Sequence, residues 1–89
     1  MRTEWTDRAL TDLVEVYAYI AGDNEAAARR VIGEIRKTVD RLQMFPALGR
    51  RSRNPLLREL VVDQYIVVYA IRRDRVVVIR VWHGAQRRL

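Results

Sequence analysis

Apolar residues in the first half of the chain recur at the three- and four-residue spacing of amphipathic helices. Two stripes predict helices over residues 7–21 and 24–45, and Asp23 or Asn24 can cap the second helix. Gly22 is expected to end the first helix in a left-handed conformation. Because so short a connection joins them, the two helices should form a helical hairpin. The residues assigned to the core are Leu10, Leu13, Val14, Tyr17 and Ile20 in the first stripe, and Ala28, Val31, Ile32, Ile35, Val39 and Leu42 in the second.

The last third of the chain changes to apolar runs separated by very short polar gaps, which is typical of β-strands. Tight turns are expected at Asp63–Gln64 and at Arg73–Asp74. Trp5 anchors a further short strand at the start of the chain. The predicted strands cover residues 1–6, 57–62, 65–72 and 75–83, with a loop over residues 47–55 and a short basic tail over residues 84–89.

The order of elements along residues 1–89 is strand, helix, helix, strand, strand, strand. Each helix must bury its apolar stripe, so the hairpin should pack on one face of a small antiparallel sheet. The sequence therefore predicts a single α+β domain with β-α-α-β-β-β order. The pattern does not tell which edge of the sheet the first strand joins.

Basic side chains are concentrated in the second half of the chain. Residues 1–45 carry 7 basic and 8 acidic side chains, whereas residues 46–89 carry 10 basic and 3 acidic ones. Of the 17 basic residues, 16 are arginine, whose planar guanidinium suits carboxylates and phosphates. A general solubilising charge does not explain the asymmetry. The asymmetry between the two halves instead predicts an acidic macromolecular partner, either nucleic acid or an acidic protein segment.

Composition also limits the kinds of site and the location that are expected. The chain has no cysteine and one histidine, so it can form no disulfide or thiolate metal site, and we expect no metal and no cofactor. Asp7, Asp12 and Glu15 have the spacing of a solvated helix face. The longest apolar run, Tyr65 to Ile71, is too short to span a membrane, and the first residues lack the pattern of a signal peptide. The expected location is the cytoplasm.

Residues spread over nearly the whole chain occur in the order seen in one group of proteins. They are Trp5-Thr6, Ala9, Asp12-Leu13 and Tyr19-Ile20-Ala21, then Asn24, Ala27-Ala28, Leu42, Phe45-Pro46 and Gly49-Arg50, and finally Arg58-Glu59-Leu60, Tyr65, Val68, Tyr69 and the run from Val78 to Ala85. No one of these motifs is diagnostic, but the ordered set resembles the RelE/ParE superfamily of bacterial type II toxins.

The resemblance implies a toxin that a cognate acidic antitoxin neutralises in a hetero-oligomeric complex. The ParE branch of the superfamily poisons DNA gyrase, whereas the RelE branch cleaves messenger RNA in the ribosomal A site. The segments 58–62 and 83–87 are closer to ParE, and no aromatic residue follows Trp82. Gyrase inhibition is therefore the first hypothesis. A RelE-like messenger RNA endoribonuclease acting on the ribosome is the alternative, and a non-toxic member that binds antitoxin and helps to repress their operon is a second alternative.

The candidate site residues follow from these hypotheses. RNA cleavage needs a base, an acid and a phosphate clamp, for which Arg58, Arg80 and His83 are the candidates. Strand alternation places Arg80 on the face of Trp82 and His83 on the opposite face unless a bulge intervenes. The gyrase hypothesis has no catalytic residue. The residues expected to bind the antitoxin or the target are Arg50, Arg51, Arg53, Arg58, Arg80, Trp82, His83, Gln86, Arg87 and Arg88.

Overall fold

Both predicted helices form, and each is capped by the polar residue that precedes it. In the computed structural model, which describes residues 1–86, helix α1 covers Asp7–Ala21 and helix α2 covers Glu25–Arg41. The Thr6 hydroxyl and the Asn24 side-chain carbonyl each accept a backbone N–H from the first turn of the helix that follows. These bonds satisfy N–H groups that have no partner within the helix.

Two helix ends differ from the prediction. Gly22 follows α1 in a right-handed conformation with φ of −57°, and its N–H bonds back to the last turn, so a left-handed residue is not needed there. Helix α2 ends at Arg41 and not at residue 45. Beyond Arg41 the backbone N–H groups of residues 42–44 bond to carbonyls three residues back, so the helix tightens into turns. Pro46 then disfavours helical geometry at Phe45, which takes φ of −128°. A short 3-10 turn then covers Pro46–Leu48.

The described part of the chain contains five strands that form one sheet. They are β1 (Arg2–Trp5), β2 (Arg50–Arg51), β3 (Arg58–Val62), β4 (Tyr65–Ile71) and β5 (Arg75–His83), and their order across the sheet is β1-β5-β4-β3-β2. The segment predicted as a loop over residues 47–55 thus contains β2, because two arginines carry no apolar pattern that would mark a strand. Asp63 takes a positive φ of 56° in the predicted β3–β4 turn.

Strand β1 joins the sheet at the edge beside β5. Trp5 lies opposite Val78 in a parallel pairing, whereas the other neighbouring strands are antiparallel. The prediction of an antiparallel sheet is wrong at this edge, and the sheet is mixed. Parallel pairing needs a long connection, which the two helices and three intervening strands provide. The α+β class and the helical hairpin packed on one face of the sheet are confirmed.

The core confirms the predicted stripe of α2 and only part of that of α1, in which Leu13 and Ile20 pack against the core. Leu10 and Val14, which the sequence assigned to the core, are 47% and 68% exposed. Ala9, Asp12 and Val16 are buried in their place. The helix is therefore turned so that the face carrying Asp12 lies against β5. The small Ala9, which is fully buried, allows the close approach of helix and strand.

Candidate functional site

The edge of β5 beyond Val78 is covered by the beginning of α1 and not by another strand. The Thr6 N–H donates to the Val78 carbonyl at 3.1 Å, and the Thr6 hydroxyl donates to the Ile79 carbonyl at 3.2 Å. Further along α1, Asp12 Oδ2 accepts the Val81 N–H at 2.8 Å. Pairing with β1 stops at Val78, so Thr6 and Asp12 provide hydrogen-bond partners for the backbone groups of β5 that follow.

A bulge in β5 determines how Arg80 meets α1. The register of the β4–β5 pairing shifts between Val68 and Tyr69. Arg80 and Val78 are their respective partners, which leaves Ile79 as one extra residue in β5. The extra residue re-aims the strand at the point where α1 replaces β1 as its neighbour.

The Arg80 guanidinium forms an ion pair with the buried Asp12 carboxylate. Its Nε donates to Oδ2 at 2.8 Å and its Nη2 to Oδ1 at 3.4 Å. The guanidinium also lies over the Trp82 ring, 4.6 Å from the centroid. Arg8 Nε lies 3.6 Å from the same carboxylate. The Asp12 side chain is 4% exposed and that of Arg80 is 30% exposed, so this ion pair is largely removed from water.

A groove with a volume of about 470 Å³ runs between α1 and the end of β5. The buried Val16 and Val81 belong to its lining, as does Tyr19, which is 81% exposed. The complete lining consists of Asp12, Glu15, Val16, Tyr19, Tyr65, Arg80, Val81, Trp82, His83 and Ala85. Below, this site is called the α1–β5 groove. It combines an apolar interior with a few polar groups, which is typical of binding sites.

His83 is held in one tautomer at the end of the α1–β5 groove. The Ala85 N–H donates to Nδ1 at 3.1 Å, so Nδ1 is the unprotonated nitrogen. Nε2 then carries the hydrogen, which Gln64 Oε1 accepts at 3.2 Å. The ring also meets Tyr65 edge-on, with the centroids 5.4 Å apart. Both ring nitrogens therefore have partners within the chain.

Arg58 lies elsewhere, beside the turn that follows α2. Its Nη1 donates to the Gly49 carbonyl at 2.7 Å. The Tyr69 hydroxyl fixes the same turn, since it donates to the Pro46 carbonyl at 2.7 Å and accepts the Gly49 N–H at 2.8 Å. Burial raises the pKa of Tyr69, against the opposing effects of the Gly49 N–H and the Arg58 charge. The raised pKa keeps the hydroxyl protonated as a donor.

A second, smaller cavity of about 210 Å³ lies next to this turn. It is lined by Arg51, Pro55, Leu56, Arg58, Ile71 and Arg72, and we call it the arginine cleft. Arg51 and Arg58 are directly opposite each other in the β2–β3 pairing. The arginine cleft and the α1–β5 groove share no lining residue.

The structure brings together only part of the predicted set. Arg80 and His83 line one groove although they lie on opposite faces of β5, because the Arg80 side chain reaches Asp12 on α1. Arg58, the third residue proposed for RNA cleavage, lines the other cavity. Trp82 is buried under Arg80 and packs with apolar residues of β4. The three candidates therefore do not line one cavity in this structure.

The remaining predicted binding residues are scattered. Arg50 pairs with the buried Glu59 at 3.5 Å, and Arg53 is exposed in the loop before β3. Arg51 lines the arginine cleft. The side chain of Gln86, and the whole of Arg87 and Arg88, lie outside the described residues.

Sequence reasoning missed several residues of both sites. Asp12 was expected on a solvated helix face, which is wrong, because its partner Arg80 lies 68 residues further along the chain. Tyr19 and Tyr65 are among the residues that carry the family resemblance, and this was the signal that could have found them. Arg72 was the last residue of the predicted strand 65–72 and had no such signal, whereas the observed β4 ends at Ile71.

Metal binding and membrane insertion find no support in the part of the chain that the structure describes. Residues 1–86 contain no group of three His, Asp or Glu side chains placed to hold a metal ion. None of the helices in this range is long and apolar enough to cross a membrane.

Two known proteins are similar to this chain in sequence over most of their length. Y4kP of Sinorhizobium fredii is 45% identical over 87 residues, which cover 96% of this chain and 90% of that protein. The toxin RelE2 of Caulobacter vibrioides is 32% identical over 82 residues, which cover 92% of this chain and 93% of that protein. These relatives match along nearly their whole length.

Two solved structures share the fold. A chain in the structure of the chromosomal ParDE TA system from P. aeruginosa superimposes with a TM-score of 0.81 at 23% identity, covering 93% of this chain and 95% of that one. The conserved protein HP0894 from Helicobacter pylori gives a TM-score of 0.60 at 15% identity, with 96% of both chains covered. A model of the ParE toxins of type II toxin–antitoxin systems, the parDE type, matches residues 3–88. The chain therefore belongs to the ParE toxin family of type II toxin–antitoxin systems.

Proposed function

We propose that this type II toxin inhibits DNA gyrase by contact, without chemistry of its own, and that its antitoxin is an acidic protein. Membership of the family means that the chain works with an antitoxin. The ParE branch that the family model describes is the branch that poisons gyrase, and a gyrase target places the action in the cytoplasm. The observation that carries the proposal is the ion pair between Arg80 and Asp12.

The ion pair argues against a role of Arg80 as a phosphate clamp. Nε and Nη2 of Arg80 already face the Asp12 carboxylate, which occupies two of the guanidinium N–H donors and partly neutralises the charge that a clamp would offer to a phosphate. If a phosphate drew Arg80 away, the buried carboxylate would lose its main positive partner. Breaking a buried pair costs about 3–5 kcal/mol, so the pairing with Asp12 opposes movement of Arg80 to a phosphate. Arg80 instead fixes α1 on the open edge of β5.

The other two candidates for catalysis are also engaged. His83 uses Nδ1 to accept from the Ala85 N–H and Nε2 to meet Gln64, so a proton-transfer role would first have to break a bond within the chain. Arg58 bonds the Gly49 carbonyl and lines a different cavity. A nuclease needs these groups around one phosphate, and this arrangement supports contact inhibition instead.

The α1–β5 groove is the proposed main docking site for the antitoxin. It is the larger of the two cavities, it has an apolar interior, and it lies where no strand covers the edge of β5 beyond Val78. The exposed ring of Tyr19 offers a large apolar contact at its rim. The charged residues of the groove lining are Asp12, Glu15 and Arg80, so the contact proposed here is mainly apolar, and the positive charge that would attract an acidic partner lies elsewhere in the second half of the chain.

One observation favours RNA cleavage as a second candidate function. Arg80 and His83 line the same groove, so a ribosome that rearranged the Asp12 pair could bring them to one phosphate. The two functions are separated by parallel assays on the purified protein. One assay measures supercoiling by gyrase and the accumulation of cleaved DNA, and the other measures cuts in messenger RNA during translation.

The proposal expects inhibited supercoiling and trapped, cleaved DNA, with uncut messenger RNA. Arg80→Lys is the diagnostic variant, because a lysine can keep a single bond to Asp12 but loses the planar fork. A nuclease that depends on Arg80 would lose its cleavage, whereas gyrase inhibition should fall no more than the folded fraction does. Site-specific cuts in the A site at low protein concentration would overturn the proposal. Growth without arrest and without gyrase inhibition would favour the non-toxic, antitoxin-binding alternative.

A further inference from the structure

The arginine cleft gathers three positive charges that no carboxylate of residues 1–86 balances. Arg51, Arg58 and Arg72 line it, and none of their guanidinium groups forms an ion pair with a carboxylate of residues 1–86. Arg58 is held by backbone carbonyls, at 2.7 Å from Gly49 O and 3.5 Å from Ala47 O. Neutral carbonyls orient the guanidinium but leave its charge uncompensated. These charges favour a ligand that carries a negative charge.

The pairing of β2 with β3 concentrates this charge. Residues directly opposite each other on antiparallel strands point to the same face, with Cβ atoms about 4.5–5.5 Å apart, and like charges there destabilise the pair. Arg51 opposite Arg58 is such a pair. The neighbouring pair, Arg50 opposite Glu59, has opposite charges that meet at 3.5 Å. The repulsion is thus confined to the cleft, where a bound anion would relieve it.

Half of the lining of the arginine cleft is apolar. Leu56 is 72% exposed, Ile71 is 37% exposed, and Pro55 completes this side. Apolar side chains beside unbalanced arginines fit a ligand that has both an anionic group and an apolar group. We propose that the arginine cleft binds an acidic peptide segment in which a carboxylate meets the arginines and a neighbouring aliphatic side chain covers Leu56 and Ile71.

The same features favour a peptide over nucleic acid. The six lining residues include no aromatic ring on which a base could stack, and stacking contributes about 1–3 kcal/mol for each base in single-strand binding. The volume of about 210 Å³ has room for a few side chains. The inference rests on the proposed function in one respect, since an acidic antitoxin is the natural source of such a segment. It adds a second anchor that is separate from the α1–β5 groove.

The test uses the whole folded protein and a defined probe. The probe is a capped pentapeptide, Leu-Asp-Leu-Asp-Leu, and its control has asparagine in place of aspartate. Binding is followed through the arginine Nε–H signals in NMR titrations. We expect the aspartate peptide to bind at least tenfold more tightly than the asparagine peptide, and to shift the signals of Arg51, Arg58 and Arg72.

Two double variants with the same loss of charge locate the site. Arg51→Gln/Arg72→Gln removes two charges from the cleft and should raise the dissociation constant of the aspartate peptide at least tenfold. Arg36→Gln/Arg73→Gln removes two charges from exposed positions outside it and should change that constant no more than twofold. Equal weakening in both variants would mean a general charge attraction and would overturn the inference. Tighter binding of an oligothymidine that is lost in the first variant would assign the cleft to nucleic acid and overturn it too.

A stability measurement separates a binding role from a structural one. Because Arg51 faces Arg58, Arg51→Gln alone should melt no lower than the unchanged protein. A fall of more than about 5 °C would identify Arg51 as a structural residue and refute the argument from repulsion. Peptide binding needs no gyrase, so failure of the gyrase assay leaves this result intact. Conversely, if the protein inhibits gyrase but does not bind the aspartate peptide selectively, the inference about the cleft is refuted and the proposed function is not.

Discussion

The contribution of the Asp12–Arg80 ion pair to stability can be tested by removing the Asp12 carboxylate. In Asp12→Ala the buried Val81 N–H loses its acceptor, and the Arg80 guanidinium loses both of its bonds to α1. An unsatisfied buried donor costs about 1–3 kcal/mol, and removing one partner of a buried pair costs about 3–5 kcal/mol in total. The Arg80 side chain is 30% exposed, so water can recover part of the loss. We therefore expect Asp12→Ala to lower the free energy of unfolding by about 3 kcal/mol.

Asp12→Asn separates the hydrogen bond from the charge. The amide oxygen can still accept the Val81 N–H, but it leaves Arg80 without a counter-charge. We expect a loss of about 1–2 kcal/mol, clearly smaller than that of Asp12→Ala. In a double-mutant cycle, Arg80→Met keeps the stem over Trp82 and removes the charge. It should make a second change at Asp12 less costly by about 1 kcal/mol or more, because the two residues interact directly.

Urea denaturation followed by tryptophan fluorescence measures these differences. A loss of 3 kcal/mol moves the midpoint by roughly 1–3 M, since the urea dependence for small domains is about 1–3 kcal/mol per M. Glu15→Ala on the same helix, at an exposed position, is the control and should change stability by less than about 0.5 kcal/mol. If Asp12→Ala cost less than about 1 kcal/mol, or no more than Glu15→Ala, the ion pair would not hold α1 on β5 and the reasoning would be refuted.

Three further predictions concern glycines, alkaline pH and the tail. Gly49→Ala should lower the free energy of unfolding by about 1–3 kcal/mol, because the new Cβ would lie 2.7 Å from a backbone carbonyl of β3 and 2.8 Å from the Tyr69 ring. Gly33→Ala should raise it by about 0.5–1 kcal/mol, because nothing lies within 4 Å of the new Cβ. Equal effects of the two substitutions in thermal melts would contradict this prediction. Burial raises the pKa of Tyr65 and Tyr69 above the ordinary 10.0, so the folded state keeps protons that the unfolded state releases. Stability is then complete below about pH 10 and falls as the pH rises through the raised pKa; denaturation at several pH values should show a shallower fall for Tyr65→Phe. Deletion of residues 86–89 should relieve growth inhibition while the circular dichroism spectrum stays unchanged, and undiminished toxicity would exclude the tail as the effector surface.

The sequence carried enough information for elements that depend on a local pattern. The stripe of α2 repeats with helical period on one face only, and its residues Ala28, Val31, Ile35 and Val39 are buried as predicted. The stripe of α1 was ambiguous, because apolar residues surround this helix on more than one side. Leu10 and Val14 could not be distinguished from Ala9 and Val16 without knowing that Asp12 faces inward. Tertiary contacts decided which face of α1 is buried.

The candidate site was harder to predict, because it depends on where charges are neutralised. Residue type correctly marked Arg58 and Arg80 as groups that need a partner. Their partners are a carboxylate 68 residues away for Arg80 and a backbone carbonyl for Arg58, and neither can be found from spacing. The bulge at Ile79 is equally invisible, since a single extra residue in an apolar run does not change its pattern.

The structure also divides the basic half of the chain into two groups with different roles. Arg50, Arg75 and Arg80 have acidic partners within the chain. Five other arginines form no such pair with residues 1–86: Arg51, Arg53, Arg58, Arg72 and Arg73. The first three lie on β2, in the β2–β3 connection and at the start of β3, and the last two follow β4. The charge available to a partner is thus concentrated away from the α1–β5 groove.

Strand β4 sets the distance between the two proposed docking sites. Tyr65 at its start lines the α1–β5 groove, and Ile71 at its end lines the arginine cleft. Six residue steps at about 3.3 Å separate them by roughly 20 Å. An antitoxin segment that reaches both sites must therefore run extended over at least about six residues. Two linked anchors bind far more tightly than either alone, so a change at one site should weaken neutralisation much less than changes at both.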